Sequence, residues 1–563
     1  MFEKSNVLKR LFSLLFGILI LLGTVFRFVN LDSKVYWLDE TYTSLRASGY
    51  AEIELVQFLR DKMFVTARDL QTFQYSKVDT NYYNVLNSLS SEDPQISPLY
   101  YLISKTWVDL FGNTISARRS LSAVASLLSL ALIYWLSIEL FKKHSIAITA
   151  TAFMAISPFH ILYAQESRHY SLWTLMTILS SICLLRSLRK NSIYDWILYS
   201  ISISLSLYTF LLSIFVIISH GFYVLAIERF KISKIYIKYL ISTLLGLLIF
   251  SPWAYVILNN LLHIDKVTGG SKRLSGLGFY ASISKDWLVN LSRLFIDVVG
   301  DSGASSNLLS PLTMFLLFIV IVCLTVTTYS IYYVCKHTNQ YHLKPSIFII
   351  SLICVNYALL ILPDLALGNN RSIVSRFYSP AYIGINLSIA FLVAKSFMIP
   401  SFAFKSWLDK LKISMLAFFC CMSIISCLII TQSQTSWIKA YGQYNHLVAA
   451  EINKSSNPII VSTTNSSNFG NASDLLSISY YLNPDTKIFS QPVCYTCSTN
   501  FVNDSSKIAN QISTLFNKFS DVFFFNSDLP SELEDKFKLT QVFLLGTRTG
   551  KSSGSDLRKL IKY

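Results

Sequence analysis

Charged side chains are scarce in this sequence: Asp, Glu, Lys and Arg make up 14% of its 563 residues, against 52% hydrophobic residues. With a mean hydropathy of +0.46, a soluble globular protein is excluded, because a water-soluble chain of this length could not hide so much apolar surface. No basic patch interleaves with aromatics, so the net charge of +16 does not read as nucleic-acid binding; cytoplasmic loops of a membrane protein produce the same excess. Cysteine is equally unhelpful as a sign of metal chemistry. Of nine, Cys183, Cys323, Cys335, Cys354, Cys420, Cys421 and Cys427 lie in or beside apolar spans, where Cys behaves as a small hydrophobe. Cys494 and Cys497 stand apart, but no second Cys or His pair at zinc spacing follows them, which leaves a disulfide or two thiols. No A-x-A-like cleavage site follows the first apolar run, roughly 11–29, so that run reads as an uncleaved helix.

What is present is a series of membrane-length apolar runs. The windows near 11–30, 118–140, 145–162, 169–186, 193–209, 210–228, 237–259, 310–335, 346–363, 379–397 and 411–431 give about eleven transmembrane helices. With the N-terminus inside, the inner connections carry eighteen Lys and Arg and the short outer ones three, Arg168, Arg371 and Arg376. That asymmetry places the N-terminus in the cytoplasm and the C-terminus outside, in a multi-pass protein of the cell membrane. The expected fold is therefore a polytopic α-helical membrane protein with a transmembrane domain over 1–431, a large first outer loop (31–117), a Gly/Ser-rich, mobile outer loop (260–308) and a C-terminal domain over 432–563. In the last, short β-like runs at 458–462 and 521–525 alternate with polar helical stretches, which predicts a small water-soluble α/β domain serving acceptor choice or stability. The stretch 91–112 reads as an amphipathic helix in the membrane interface, with Tyr100, Tyr101 and Trp107 at headgroup level.

Ionisable residues at membrane depth carry a functional expectation that surface charges do not. Asp39 and Glu40 follow the first span; Glu92 and Asp93, then Glu166, Arg168, His169 and Tyr170, and finally Arg376, return to the same outer level. Carboxylates and guanidiniums gathered there suit a phosphate-bearing lipid substrate. Adjacent residues do not face a common point on a helix or a strand, so at most one of Asp39 and Glu40 does chemistry. The competing structural explanation is that Asp39 only caps a helix beginning at Glu40.

Five segments carry a resemblance. YWLDETYT (36–43), SPLYYL (97–102), QESRHYSLW (165–173), LYTFLL (207–212) and VSRFYSP (374–380) resemble, in order, elements of the GT-C type lipid-dependent glycosyltransferases, in the branch of protein O-mannosyltransferases and aminoarabinose transferases. The resemblance covers about 1–400 and departs at Ser97 and Phe210, where that family usually or often has His. It implies a GT-C-like fold and inverting sugar transfer from a polyprenyl-phosphate donor to a glycan, lipid or protein acceptor outside the cytoplasm.

The chemistry itself asks for two services: a base for the acceptor hydroxyl, assigned to Asp39, and cations for the leaving phosphate. Arg is shaped for the second, which points to Arg376 and Arg168, with Lys272 and Arg273 as further candidates. Glu92, Asp93, Tyr100, Glu166, His169 and Tyr170 are the expected substrate contacts, and Glu40 is counted with Asp39 as catalytic, orienting the loop or the acceptor. Since the donor brings its own phosphate and no nucleotide, no cofactor or metal is demanded, although a divalent ion is compatible with the pattern. A transporter or flippase of lipid-linked sugars is the alternative; it is expected to show internal repeats and Gly/Pro-broken helices, and neither is clear in the sequence.

Overall fold

In the computed structural model the chain is described over residues 2–77, 80–268, 276–297, 311–338, 341–397, 407–439, 442–463, 471–492, 494, 496–497, 505–515, 518–545 and 555–562. Each of the eleven expected spans is helical, from Phe2–Phe28 through to Trp407–Gln432. Among the described residues seven helices are long and apolar enough to cross a bilayer alone, and a bent pair makes an eighth. Phe12–Phe28 and Ser213–Ile227 are apolar but shorter, and Ile193–Thr209 has 17 residues. Polar caps start several of them: Thr114 Oγ1 accepts from Ala117 N, and Ser233 Oγ from Tyr236 N.

The bent pair is a feature that the window 145–162 hides. His144–Ala155 and Pro158–Ala164 meet at 59°. Pro158 has no N–H to donate and its ring clashes with a preceding carbonyl, so the helix breaks and frees backbone acceptors inside the membrane frame. Arg27 satisfies them, with Nη1 2.7 Å from Ala155 O and Nη2 3.1 Å from Met154 O, while Nε donates to Ser126 Oγ at 2.9 Å. The approach requires Gly23, because a Cβ there would stand 2.2 Å from Ala155 O.

Above the helices a six-stranded sheet runs in the order β1-β3-β2-β4-β6-β5. Its strands are β1 (Val65–Thr66), β2 (Pro458–Thr463), β3 (Lys487–Gln491), β4 (Asp521–Phe525), β5 (Phe537–Leu545) and β6 (Ser555–Lys562). β2 lies parallel to β3 and β4 and is buried along its whole length, as a central parallel strand covered on both faces should be. β1 comes from the first outer loop and pairs antiparallel with β3, Val65 opposite Ile488. One hydrophobic core joins Leu45, Leu55, Leu59 and Leu70 of that loop to Val448, Ile460, Leu475 and Phe523 of the C-terminal region. The two regions expected as separate pieces thus share a sheet and a core, which also puts them on the same side of the membrane. Val35 N donates to Gln434 O at 2.8 Å and extends the contact down to the first helix.

One expectation is corrected outright. Helix Leu99–Phe111 exists, but Tyr100 and Tyr101 are buried rather than at headgroup level, because their hydroxyls meet Ser122 Oγ (2.9 Å) and Arg168 Nη1 (3.2 Å). Leu110 and Phe111 are the exposed apolar residues at its end. Helices Leu261–Thr268 and Leu277–Ser292 occupy much of the loop expected to be mobile.

Candidate active site

Asp39 sits in the first turn of helix Leu38–Ala47, entered from Trp37 in extended backbone with no side-chain cap hydrogen bond. Its Oδ2 is 3.6 Å from Arg168 Nε and 3.8 Å from Arg376 Nη1, and makes no hydrogen bond among the described residues. A capping carboxylate would instead accept a backbone N–H, so the helix-cap explanation lacks its bond. Side-chain exposures of 18% for Asp39 and 23% for Arg376 leave both reachable.

Each arginine is held from behind. Arg168 Nη1 donates to Thr43 Oγ1 at 2.8 Å. Arg376 lies on a 3-10 turn, Ser375–Tyr378, braced by Tyr378 OH on Ser372 O and Tyr163 OH on Ser375 Oγ. Tyr170 lies beneath both guanidiniums, their Cζ atoms 5.7 and 5.1 Å from its ring centre. His169 packs against Tyr170 and Phe210. Phe210, where the resembled family often has His, fills that space as an apolar ring.

Glu40 points elsewhere, into a closed ionic cage. Its carboxylate takes Arg119 Nε and Nη2, each at 2.7 Å, Lys439 Nζ at 2.8 Å and the Ser167 N–H at 2.9 Å, and is fully buried. Burial would raise its pKa, yet Arg119 and Lys439 hold it down to about 2. Glu166 joins the same cage through Lys439 Nζ at 2.9 Å and Trp37 Nε1 at 3.0 Å. Burial, Glu40 and Asp39 raise the Glu166 pKa against the pull of Lys439. Lys34, bonded to Gln165 Oε1, is pushed down to about 7 by burial and by the neighbouring Arg119 and Lys439. Three carboxylates (Asp39, Glu40, Glu166) therefore face four cations (Arg119, Arg168, Arg376, Lys439), which leaves an excess positive charge for an anionic ligand.

Glu92 and Asp93 lie in a second cluster. Both pair with Arg46, Asp93 at 2.7 Å, and Glu92 also accepts the N–H groups of Glu52 and Ile53. Their oxygens are bonded to the protein itself, so these two are not gathered around Asp39 with the rest, whereas Tyr100 packs edge-on against His169 and its hydroxyl meets Ser122 Oγ. Cys494 and Cys497 form a disulfide beside Glu92. Glu92 and those two sulfurs are the described His, Cys, Asp or Glu side chains close enough together to share a metal ion, and the sulfurs are bonded to one another. Lys272 and Arg273 lie outside the described residues.

The sequence reading missed Arg119, Lys439 and Lys34. Arg118-Arg119 at the mouth of an apolar run was a usable signal. It also missed Arg293, whose Cζ lies 3.5 Å from the Trp437 ring centre and whose Nη1 donates to Asn290 Oδ1. An apolar cavity of about 430 Å³ between the helices is lined by His160, Leu294, Phe295, Tyr333, Lys395 and Ser396 among others, and none of Asp39, Arg168 and Arg376 lines it.

Comparison with known proteins agrees with the sequence motifs. Residues 94–256 match the family model described as dolichyl-phosphate-mannose-protein mannosyltransferase. The crystal structure of ArnT from Cupriavidus metallidurans in the apo state is similar over 96% of this chain and 97% of that one, with 12% identity and a TM-score of 0.54. The chain has the GT-C glycosyltransferase fold. ArnT bound to undecaprenyl phosphate is similar over the same shares at a TM-score of 0.50 and 12% identity. Mycobacterial arabinofuranosyltransferase AftD aligns with 94% of this chain and 40% of its own, at 11% identity and a TM-score of 0.41. No curated protein matches. In this GT-C chain the matched segment 94–256 contains Arg168, Tyr170 and Glu166, and lies outside both Asp39 and Arg376.

Proposed function

We propose that this protein transfers a sugar, with inversion, from a polyprenyl-phosphate donor to an acceptor hydroxyl on the outer side of the cell membrane. The observation that carries this reading is the partly exposed Asp39 side chain, whose buried Oδ2 has no hydrogen bond and faces Arg168 and Arg376. The solved ArnT complex with undecaprenyl phosphate supports a lipid-linked donor. The Lys/Arg asymmetry supports the orientation, with the N-terminus in the cytoplasm.

The phosphate enters between Arg168 and Arg376 and replaces Asp39 as their partner, while the polyprenyl chain runs into the apolar cavity. The acceptor oxygen attacks the anomeric carbon as the bond from that carbon to the phosphate oxygen breaks. The acceptor's proton passes to the Asp39 carboxylate, and the electron pair of the broken bond stays on the phosphate, where the two guanidiniums stabilise it. One displacement inverts the anomeric centre. The excess positive charge of the site favours the phosphate before reaction and the extra charge it carries afterwards. Glu40, enclosed by Arg119 and Lys439, orients the turn and touches no substrate.

The test is Asp39→Asn, assayed with the polyprenyl-phosphate sugar that accumulates in cells lacking the protein. Asn keeps the size and removes the proton acceptor, so turnover falls by about two to four decades while undecaprenyl phosphate still binds. The product anomer, read by NMR, is opposite to that of the donor. Wild-type turnover in Asp39→Asn returns Asp39 to a structural role, and retention of the anomeric configuration removes the single displacement.

A further inference from the structure

The C-terminal region reaches the ionic cage through Lys439, while Tyr481 OH accepts from Tyr36 N at 2.9 Å beside it. Lys439 is fully buried, and its Nζ bridges Glu40 Oε2 at 2.8 Å and Glu166 Oε1 at 2.9 Å. Glu40 is the residue after Asp39 in the same helical turn, and Glu166 lies two residues before Arg168. The Ser167 N–H also reaches Glu40, but among the described residues no other cation touches both carboxylates. Without Lys439, Glu40 and Glu166 would repel each other across a buried space where charges are poorly screened, with Arg119 and the partly protonated Lys34 left to oppose them.

We propose that Lys439 is a positioning residue for the transfer: it ties the turn bearing Asp39 to the turn bearing Arg168, so that base and phosphate cation stay in register only while the C-terminal region is docked. The inference rests on the roles given above to Asp39 and Arg168. A displacement of either by about 1 Å is enough to cost two orders of magnitude in rate. The groups facing the cage are Lys34 and Tyr36 from the first connection, Asp39 from helix Leu38–Ala47, Arg119 from helix Ile115–Phe141, Tyr481 from the C-terminal region, and Glu166 itself. Of these, Glu166 and Lys34 are the two able to restore the balance by taking up a proton as pH falls.

The full-length protein is compared as wild type, Lys439→Met and Lys439→Arg, reading kcat with the accumulated donor, the Kd for undecaprenyl phosphate and the folded fraction. Lys439→Met lowers kcat by about 10- to 100-fold with Kd within about threefold, since Arg168 and Arg376 remain. The deficit shrinks as pH falls through neutrality, and Lys439→Arg recovers most of the rate. Wild-type kcat in Lys439→Met overturns the proposal, and so does a pH-independent loss that follows the folded fraction. Should Lys439→Met not fold, the charge-balanced Glu166→Gln/Lys439→Met is set against Glu166→Gln alone; a further several-fold loss of kcat is expected, and equal values overturn the proposal. Asp39→Asn in the same assay separates the two readings: wild-type turnover there defeats the assignment of the base, whereas an inactive Asp39→Asn beside an unaffected Lys439→Met defeats only the positioning role.

Discussion

At the scale of single residues, the neighbours Asp39 and Glu40 take opposite environments. Glu40 has every oxygen engaged and a pKa held down to about 2, whereas Asp39 is partly exposed and its Oδ2 has no hydrogen bond. The difference follows from helix geometry, which turns successive side chains about 100° apart and so sends one into the cage and one toward the arginines. Arg376 is the more exposed of the two phosphate candidates, and its Nε makes no hydrogen bond. Arg376→Ala is therefore expected to raise the donor KM by roughly 10- to 100-fold, the value of a charge-assisted hydrogen bond of about 1.5–3 kcal/mol. Arg376→Lys recovers part of that, because a point charge cannot make the forked contact. An unchanged donor KM in Arg376→Ala removes this residue from the site and leaves Arg168. Asp39, Arg168 and Arg376 were legible in the sequence because each stands in a short motif beside an apolar run. Lys439 was not: it sits in a polar stretch, TSWIKAYGQ, and only tertiary contact distinguishes it from any solvated lysine.

At the scale of elements, each of the eleven apolar windows falls on helix, and seven of the described helices, or eight with the bent pair, are long and apolar enough to cross a bilayer, because membrane-spanning helices must satisfy their own backbone and so announce themselves as long apolar runs. The windows did not show the break at Ser157-Pro158, since a helix interrupted for two residues keeps its apolar composition. Nor did they show that Arg27, which interrupts the first run, serves that break from a different helix. Arg27→Met leaves the carbonyls of Met154 and Ala155 without their donors in a region with no water to replace them. A loss on the order of 3 kcal/mol is expected, seen as a lower thermal midpoint in detergent, with Arg27→Lys intermediate. The bent pair leads directly to Glu166 and Arg168, so kcat falls with the midpoint if the break positions the site. An unaltered midpoint in Arg27→Met would mean that the carbonyls find other partners and that the break is stable by itself.

At the scale of the whole molecule, the first outer loop and the C-terminal region are separated by more than three hundred residues of sequence and meet in one sheet. Hydrophobic pattern located β2 and β4, but the partner of a two-residue edge strand such as β1 cannot be read from its own sequence. The division at 431/432 follows the drop in hydropathy faithfully and cuts through a shared core, because hydropathy reports which solvent a segment faces and not which segments pack together. A tail covering 442–562 alone would expose the faces of Ile460, Leu475, Ile488 and Phe523 that Leu45, Leu55, Leu59 and Val65 now cover. Expressed by itself it is expected to lack a cooperative melting transition and to aggregate, as an exposed apolar sheet face does. The complementary chain, ending at Gln432, loses Lys439 and the Gln434 carbonyl that accepts from Val35, along with half of that core. It should therefore lose donor hydrolysis as well as transfer, even at membrane levels equal to wild type. A soluble, cooperatively melting tail together with a truncated chain that still hydrolyses the donor would show that the sheet docks a separable domain onto a site already complete without it.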